Sequence, residues 1–218
     1  MLMPGLHSEK IAERMFQVNL FGHLNVTRAI LPFFRKRGSG CITFSASNQI
    51  WANLPYTSFY NMTKSATSSF AETLHKEVSP LGIRCVAFEC GGVATRFFEP
   101  REKDQVADRK GIHSPIEAYV PGMNEFMNVI SELGIPTGDA TKMSKAMVDV
   151  VRGEGRAAGR PWSSRIALGS DAVRWSKLKR QQEGVVMDRW EDIGVATDRE
   201  DAGFFDGMDR YVKMPGAA

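Results

Sequence analysis

Two short and nearly unbroken apolar runs, Cys41-Ile-Thr-Phe-Ser45 and Ile83-Arg-Cys-Val-Ala-Phe88, each follow a helical stretch across a glycine turn, and this alternation most restricts the fold. Continuous β-prone runs of this length are the pattern of strands buried on both faces. From Ser8 to Arg37 the apolar residues Ile11, Met15, Val18, Leu20, Phe21, Leu24, Ile30, Leu31 and Phe34 recur at helical spacing. That predicts one long helix capped by Ser8, with Pro32 loosening its last turns before Gly38-Ser-Gly40. A second helix is predicted to begin near Ser58 and to stop at Ser79-Pro80-Leu81-Gly82. Helix, strand, helix, strand with short connections predicts right-handed crossovers and a parallel α/β sheet. Sites on such sheets lie at the carboxyl ends of the strands, here Ser45 to Ser47 and Glu89 to Thr95.

Downstream, Pro100, Pro115, Pro121 and Pro136 interrupt a charged, irregular stretch, so residues 96–137 read as a lid over a site. Gly138-Asp139 caps a predicted helix over Thr141–Val151, with Met143, Met147, Val148 and Val151 as its core stripe. Ser164–Leu168 reads as a third strand, and a last helix starts at Ser170-Asp171 and runs through Lys179 or beyond. Residues 194–218, rich in Asp and Gly, read as a loosely ordered tail.

A chain of 218 residues, 43% hydrophobic and 24% charged, can bury one sizeable core, so a single domain over residues 1–218 is expected. Basic residues exceed acidic ones by 28 to 25, too slight a balance to indicate nucleic acid; Arg174, Lys177, Lys179 and Arg180 read as a solvated helix face. Cys41, Cys85 and Cys90 form no CxxC, and His7, His23, His75 and His113 show no paired-ligand spacing, so neither a disulfide framework nor a metal is expected. Nothing resembles a leader or the ~20 apolar residues of a membrane span, which points to a soluble, cytoplasmic protein.

Tyr60 and Lys64 stand one helical turn apart and so share a face. An ammonium near a phenol favours the phenolate, and a phenol that exchanges its proton nearer neutrality suits interconversion of alcohols and carbonyls. The spacing alone is unspecific, arising by chance about 0.2 times in a chain of this composition. Ser47, thirteen residues earlier at a strand end, would alone read as a turn or cap residue, and Asn19 in Phe16-Gln-Val-Asn19 as an ordinary helical polar residue.

Together, Asn19, Ser47, Tyr60 and Lys64 resemble the catalytic half of a short-chain dehydrogenase/reductase (SDR). The family's order is an Asn in the helix before a strand, a Ser just after that strand, then Tyr-x-x-x-Lys on the next helix. Glu89-Cys90-Gly91-Gly92-Val93-Ala94-Thr95 is similar to the family's Pro-Gly-x-Val-x-Thr segment along the nicotinamide. The resemblance implies a Rossmann-like doubly wound parallel sheet and an NAD- or NADP-dependent oxidoreductase acting on a small hydroxyl or carbonyl compound, in biosynthetic or secondary metabolism. NADP is slightly favoured. Tyr60 would be the general acid or base; Ser47 would donate to the substrate oxygen. Lys64 would hold the nicotinamide ribose, and Asn19 a water linking Lys64 to solvent. Gly91, Gly92, Val93 and Thr95 would line the nicotinamide, the two glycines letting the backbone come close. Trp51 and Tyr56 would flank a substrate pocket or simply pack. Helices like Ser8–Arg37 and Tyr60–Val78 would build faces of a homo-oligomer.

Two departures stand out. Cys90 replaces the family's usual Pro, removing a fixed φ, with a local effect expected. The family's Thr-Gly-x-x-x-Gly-x-Gly loop and Asn-Asn-Ala-Gly segment normally lie upstream of Asn19, where only residues 1–18 stand. The expectation is therefore the carboxyl-terminal part of the domain, an incomplete version of a longer polypeptide. Its first strand would form an open edge. A catalytically inactive remnant serving as a protein interaction module is the alternative.

Overall fold

Hydrogen bonding on both sides makes Ile83–Cys90 (β2) the centre of a three-stranded sheet of order β1-β2-β3. The computed structural model describes residues 9–95, 117–132, 136–200 and 206–213. β1, Gly40–Ser47, runs parallel to β2 with Gly40 opposite Ile83 and Ser47 opposite Cys90; β3, Arg165–Leu168, runs parallel on the other side with Cys90 opposite Leu168. The parallel sheet predicted from the apolar runs is thus observed. β2 is buried on both faces, from Ile83 and Cys85 to Val86, Ala87 and Phe88. β1 departs from the expectation: Ile42, Phe44 and Ala46 are buried, while Thr43 and Ser45 between them are exposed. One face of β1 is covered by helices, and the other is left open among the described residues.

The covering helices are α1 (Glu9–Phe16), α2 (Gly22–Arg37) and α4 (Ser58–Val78), with a single turn, α3 (Gln49–Ala52), between β1 and α4. The long helix predicted from Ser8 is interrupted at Gln17–Phe21, where the chain takes one π-helical turn ahead of Pro32. Ser8 itself lies outside the described residues. Ala71, Leu74 and Val78 of α4 pack on Ile42, Phe44, Ala46, Ile83, Cys85 and Ala87, and Ile30, Leu31 and Phe34 of α2 close the cluster. Phe44 meets the edges of both His23 and Phe70.

Beyond the sheet, α5 spans Val120–Glu132 and α6 spans Ala140–Arg152. Asp139 caps α6 by accepting from the Lys142 amide at 2.8 Å, and Gly153 ends it in the left-handed region, as capping chemistry dictates. Of the lid expected over residues 96–137, residues 96–116 and 133–135 lie outside the described residues. α7, Ser170–Val195, begins where predicted but extends well past Lys179 into the stretch read as a tail, and Asp209–Val212 forms a final short turn, α8.

A buried ionic cluster fastens the carboxyl end of β2 to both flanks. Glu89, 2% exposed, accepts from Arg165 Nε of β3 at 2.7 Å and from Trp51 Nε1 of α3 at 2.6 Å. Arg165 reaches Glu72 of α4 at 3.7 Å, and the guanidiniums of Arg165 and Arg180 lie over the Trp51 ring, 5.0 and 4.8 Å from its centre. Trp51 is thus held by the contacts of this cluster. Removing one partner strands a desolvated charge, so Glu89→Ala is expected to lower unfolding free energy by about 3 kcal/mol in urea titration.

His75 makes a second checkable contact. Its Nδ1 accepts the Cys85 amide at 3.3 Å, which requires an unprotonated nitrogen there, and burial followed by the Arg84 charge holds its pKa below the ordinary 6.5. The unfolded chain therefore binds a proton at His75 before the folded chain does, and stability falls as pH drops through the unfolded value towards the lower folded one. His75→Gln is expected to flatten the loss of stability between neutral and mildly acid pH, measured by urea midpoints across that range. His23, lowered by burial and by Lys64, continues to supply a share of that slope in the variant.

Candidate active site

Ser47 and Tyr60 meet because β1 ends at Ser47 and α4 starts just afterwards, returning Tyr60 over the strand end. The Ser47 hydroxyl lies beside the Tyr60 phenol, where it favours the phenolate. Ser47 is 6% exposed, and its Oγ accepts from the Gln49 amide at 3.2 Å and lies 3.4 Å from Asn48 Oδ1. Lys64, one turn further along α4, is buried with its Nζ 5.7 Å from the centre of the Tyr60 ring. That Nζ donates to the Ser45 carbonyl at 2.7 Å.

The electrostatic balance at Tyr60 differs from the sequence expectation. Burial pushes the phenol above its ordinary value, the Ser47 hydroxyl opposes this, and the neighbouring Cys90 adds to the rise. Lys64 was expected to draw the phenol down; its ammonium donates to the Ser45 carbonyl at 2.7 Å and stands 5.7 Å from the centre of the Tyr60 ring, and burial of the phenol outweighs its pull. Burial also pulls Lys64 below its ordinary value, with Cys90 opposing. The Cys90 thiol is itself pushed up by burial, against the pull of Lys64.

Asn19 sits in the π-helical turn facing α4. Its Nδ2 donates to Thr63 Oγ1 at 3.3 Å, and the Thr67 hydroxyl reaches its carbonyl at 3.5 Å. It therefore touches the residue next to Lys64 and not Lys64 itself.

The segment after β2 is held at every step. Because Cys90 keeps the strand geometry that Pro would break, β2 continues through it, opposite both Ser47 and Leu168. Gly91 N–H donates to Leu168 at 2.7 Å, Gly92 N–H to Asp171 Oδ2 at 2.7 Å, and the Gly92 carbonyl accepts from Gly138 at 3.1 Å. Val93 bridges Gly138, whose own amide approach leaves no room for a side chain against the Gly92 carbonyl. The space a side chain would take at Gly91 is filled by the Asp171 carboxylate, and that at Gly92 is bounded by Pro136. Both glycines thus also allow close packing within the chain itself. Thr95, exposed, is the last described residue of this segment.

Asn48 and Asp171 were missed by sequence reasoning. Asn48 is 5% exposed, takes the Cys90 carbonyl at 2.9 Å through its amide N–H, and donates from Nδ2 to Asp171 Oδ2 at 2.8 Å. Tyr56, left open between pocket and packing, stacks at 5.8 Å on Phe126 of α5. Among the described residues no group of three His, Cys, Asp or Glu could hold a metal.

A family model for short chain dehydrogenases matches residues 3–106. Over 99 residues the chain is 35% identical to the NADPH-dependent 1-acyldihydroxyacetone phosphate reductase of Saccharomyces cerevisiae, covering 45% of this chain and 33% of that protein. Over 108 residues it is 31% identical to human 17-beta-hydroxysteroid dehydrogenase type 1, covering 49% and 33%. The chain thus spans about a third of the length of these relatives. A short-chain dehydrogenase from Streptomyces avermitilis superposes with a TM-score of 0.65 at 25% identity, covering 88% of this chain and 65% of that one. The ordered Asn19, Ser47, Tyr60 and Lys64 set thus lies on a parallel sheet flanked by helices that is similar to short-chain dehydrogenases in sequence over residues 3–106 and in fold over most of the described chain.

Proposed function

We propose that the chain carries the proton-handling end of an NAD(P)-dependent oxidoreductase that interconverts a hydroxyl and a carbonyl on a small organic substrate. The observation that carries this reading is the gathering of Ser47, Tyr60 and Lys64 at the carboxyl edge of the sheet, with Lys64 Nζ 5.7 Å from the Tyr60 ring centre. Tyr60 gives its proton to the substrate oxygen in reduction and takes it back in oxidation. Ser47 donates to the same oxygen as negative charge grows on it. The nicotinamide supplies the hydride when bound.

The residues present fit the nicotinamide end of such a cofactor. Lys64 has three N–H donors and commits one to Ser45, leaving others for ribose hydroxyls. Asn19 steadies α4 beside Lys64 through Thr63. Val93 and Thr95 lie on the segment that leaves β2 towards this place, and Gly91 and Gly92 hold its path. The yeast relative's stated dependence on NADPH favours NADP over NAD. Association of copies through α2 and α4 belongs to the same reading, supported by the exposed Phe33 and Met62. So does a cytoplasmic location, supported by three free thiols and by the absence, among the described residues, of any helix long and apolar enough to cross a membrane.

An interaction module is the second reading. The outer half of α7 favours it, since Met187 is 71% and Trp190 58% exposed. Fluorescence titration of this chain with NADPH and NADH, combined with turnover on a panel of small ketones and secondary alcohols, separates the two. The enzyme reading expects Tyr60→Phe to cut turnover by about 100-fold or more while cofactor affinity stays unchanged. Turnover that survives Tyr60→Phe defeats it.

A further inference from the structure

Asp171 lies in the first turn of α7, where the helix macrodipole favours negative charge. Its Oδ2 takes two donors from the ends of the other two strands, Asn48 Nδ2 at 2.8 Å after β1 and Gly92 N–H at 2.7 Å after β2. Oδ1 is buried without a partner. A carboxylate only accepts hydrogen bonds, so the Asn48 amide must present its NH2 to Asp171 and its carbonyl to the other side. The other side is Ser47, whose Oγ lies 3.4 Å from Asn48 Oδ1. Ser47 has one proton, which it gives to Asn48 Oδ1 in this geometry, and the same hydroxyl is the group beside Tyr60 that favours its phenolate.

We infer that Asp171 is a positioning residue for the Ser47 and Tyr60 pair: by fixing the Asn48 amide, it keeps an acceptor facing Ser47 and draws the Ser47 proton to Asn48 and away from Tyr60. The inference rests on the reading of Ser47 and Tyr60 as the reacting pair. In Asp171→Asn the new amide donates as well as accepts, so Asn48 is free to turn over and offer its NH2 to Ser47. The Ser47 proton then goes to Tyr60, and hydrogen bonding to the charged form favours the phenolate. Loss of the Asp171 charge acts in the same direction. The other charged and titratable neighbours of Tyr60, Lys64 on α4 and Cys90 on β2, are the same in every variant.

NMR of the chain carrying 13C-labelled tyrosine, with the Tyr60 signal assigned by Tyr60→Phe, follows the phenol through its titration without cofactor or substrate. Asp171→Asn is expected to move the Tyr60 titration to lower pH. Asn48→Ala, which removes the competing acceptor, is expected to do the same. In the Asn48→Ala background, Asp171→Asn is expected to produce less than half its shift, because only the charge effect remains. An unmoved Tyr60, or a shift of equal size in both backgrounds, overturns the inference. If Asp171→Asn does not fold, as judged by amide signal dispersion, Asn48→Ala decides alone, and an unchanged Tyr60 there is the overturning result. Turnover is not read at any point, so a chain that reduces no ketone still decides the question, and failure here leaves the oxidoreductase reading standing.

Discussion

The amides and carbonyls of β2 are buried and must be paired on both sides, and that requirement sets the positions of everything chemical in this chain. β1 and β3 satisfy it in parallel register, which brings Ser47, Cys90 and Leu168 side by side at one edge. Each strand then hands its next residues to the same small volume. Asn48 takes the Cys90 carbonyl, Gly91 the Leu168 carbonyl, and Asp171 enters from the start of α7 to accept from both neighbours. A one-residue slip of the β1–β2 pairing would turn every β1 side chain to the opposite face and separate Ser47 from Tyr60.

Much of this was legible in the sequence because it depends on local chemistry. Apart from Arg84, the run Ile83–Phe88 is apolar on both faces, and a doubly covered strand suits it. Asp139 marks the start of α6 by capping, and Ser79-Pro80-Leu81-Gly82 stops α4. The one-sided burial of β1 was not legible, since Cys41–Ser45 reads equally well as a strand covered on both faces. Nor was the π-helical turn at Gln17–Phe21. Its residues keep ordinary helical spacing, and Asn19 is drawn to Thr63 and Thr67 by contacts across to α4.

The site divides along the same line. Ser47, Tyr60 and Lys64 lie close together in sequence, on a strand end and the helix after it, so their spacing encodes their meeting. Asn48 and Asp171 are 123 residues apart, and no local pattern joins them. What pairs them is the register of all three strands plus the entry angle of α7. The contact at Gly91 was hidden for the same reason: a glycine signals close approach, and the carboxylate that approaches it comes from a distant helix.

Burial also decides which proton state the site holds at rest. Tyr60 is pushed above its ordinary value, and Lys64, though pulled below its own, has a carbonyl at 2.7 Å to accept from its ammonium. A protonated phenol beside an engaged ammonium is the arrangement of a donor, ready to protonate an oxygen as charge develops there. The same side chain becomes an acceptor only when something offsets the desolvation of its phenolate. Two changes within the site have that sign: release of Lys64 from Ser45 towards the phenol, and a Ser47 proton turned wholly to Tyr60. In the proposed reaction, then, reduction draws on the resting geometry, whereas oxidation requires Lys64 or the Asn48 and Asp171 pair to rearrange first.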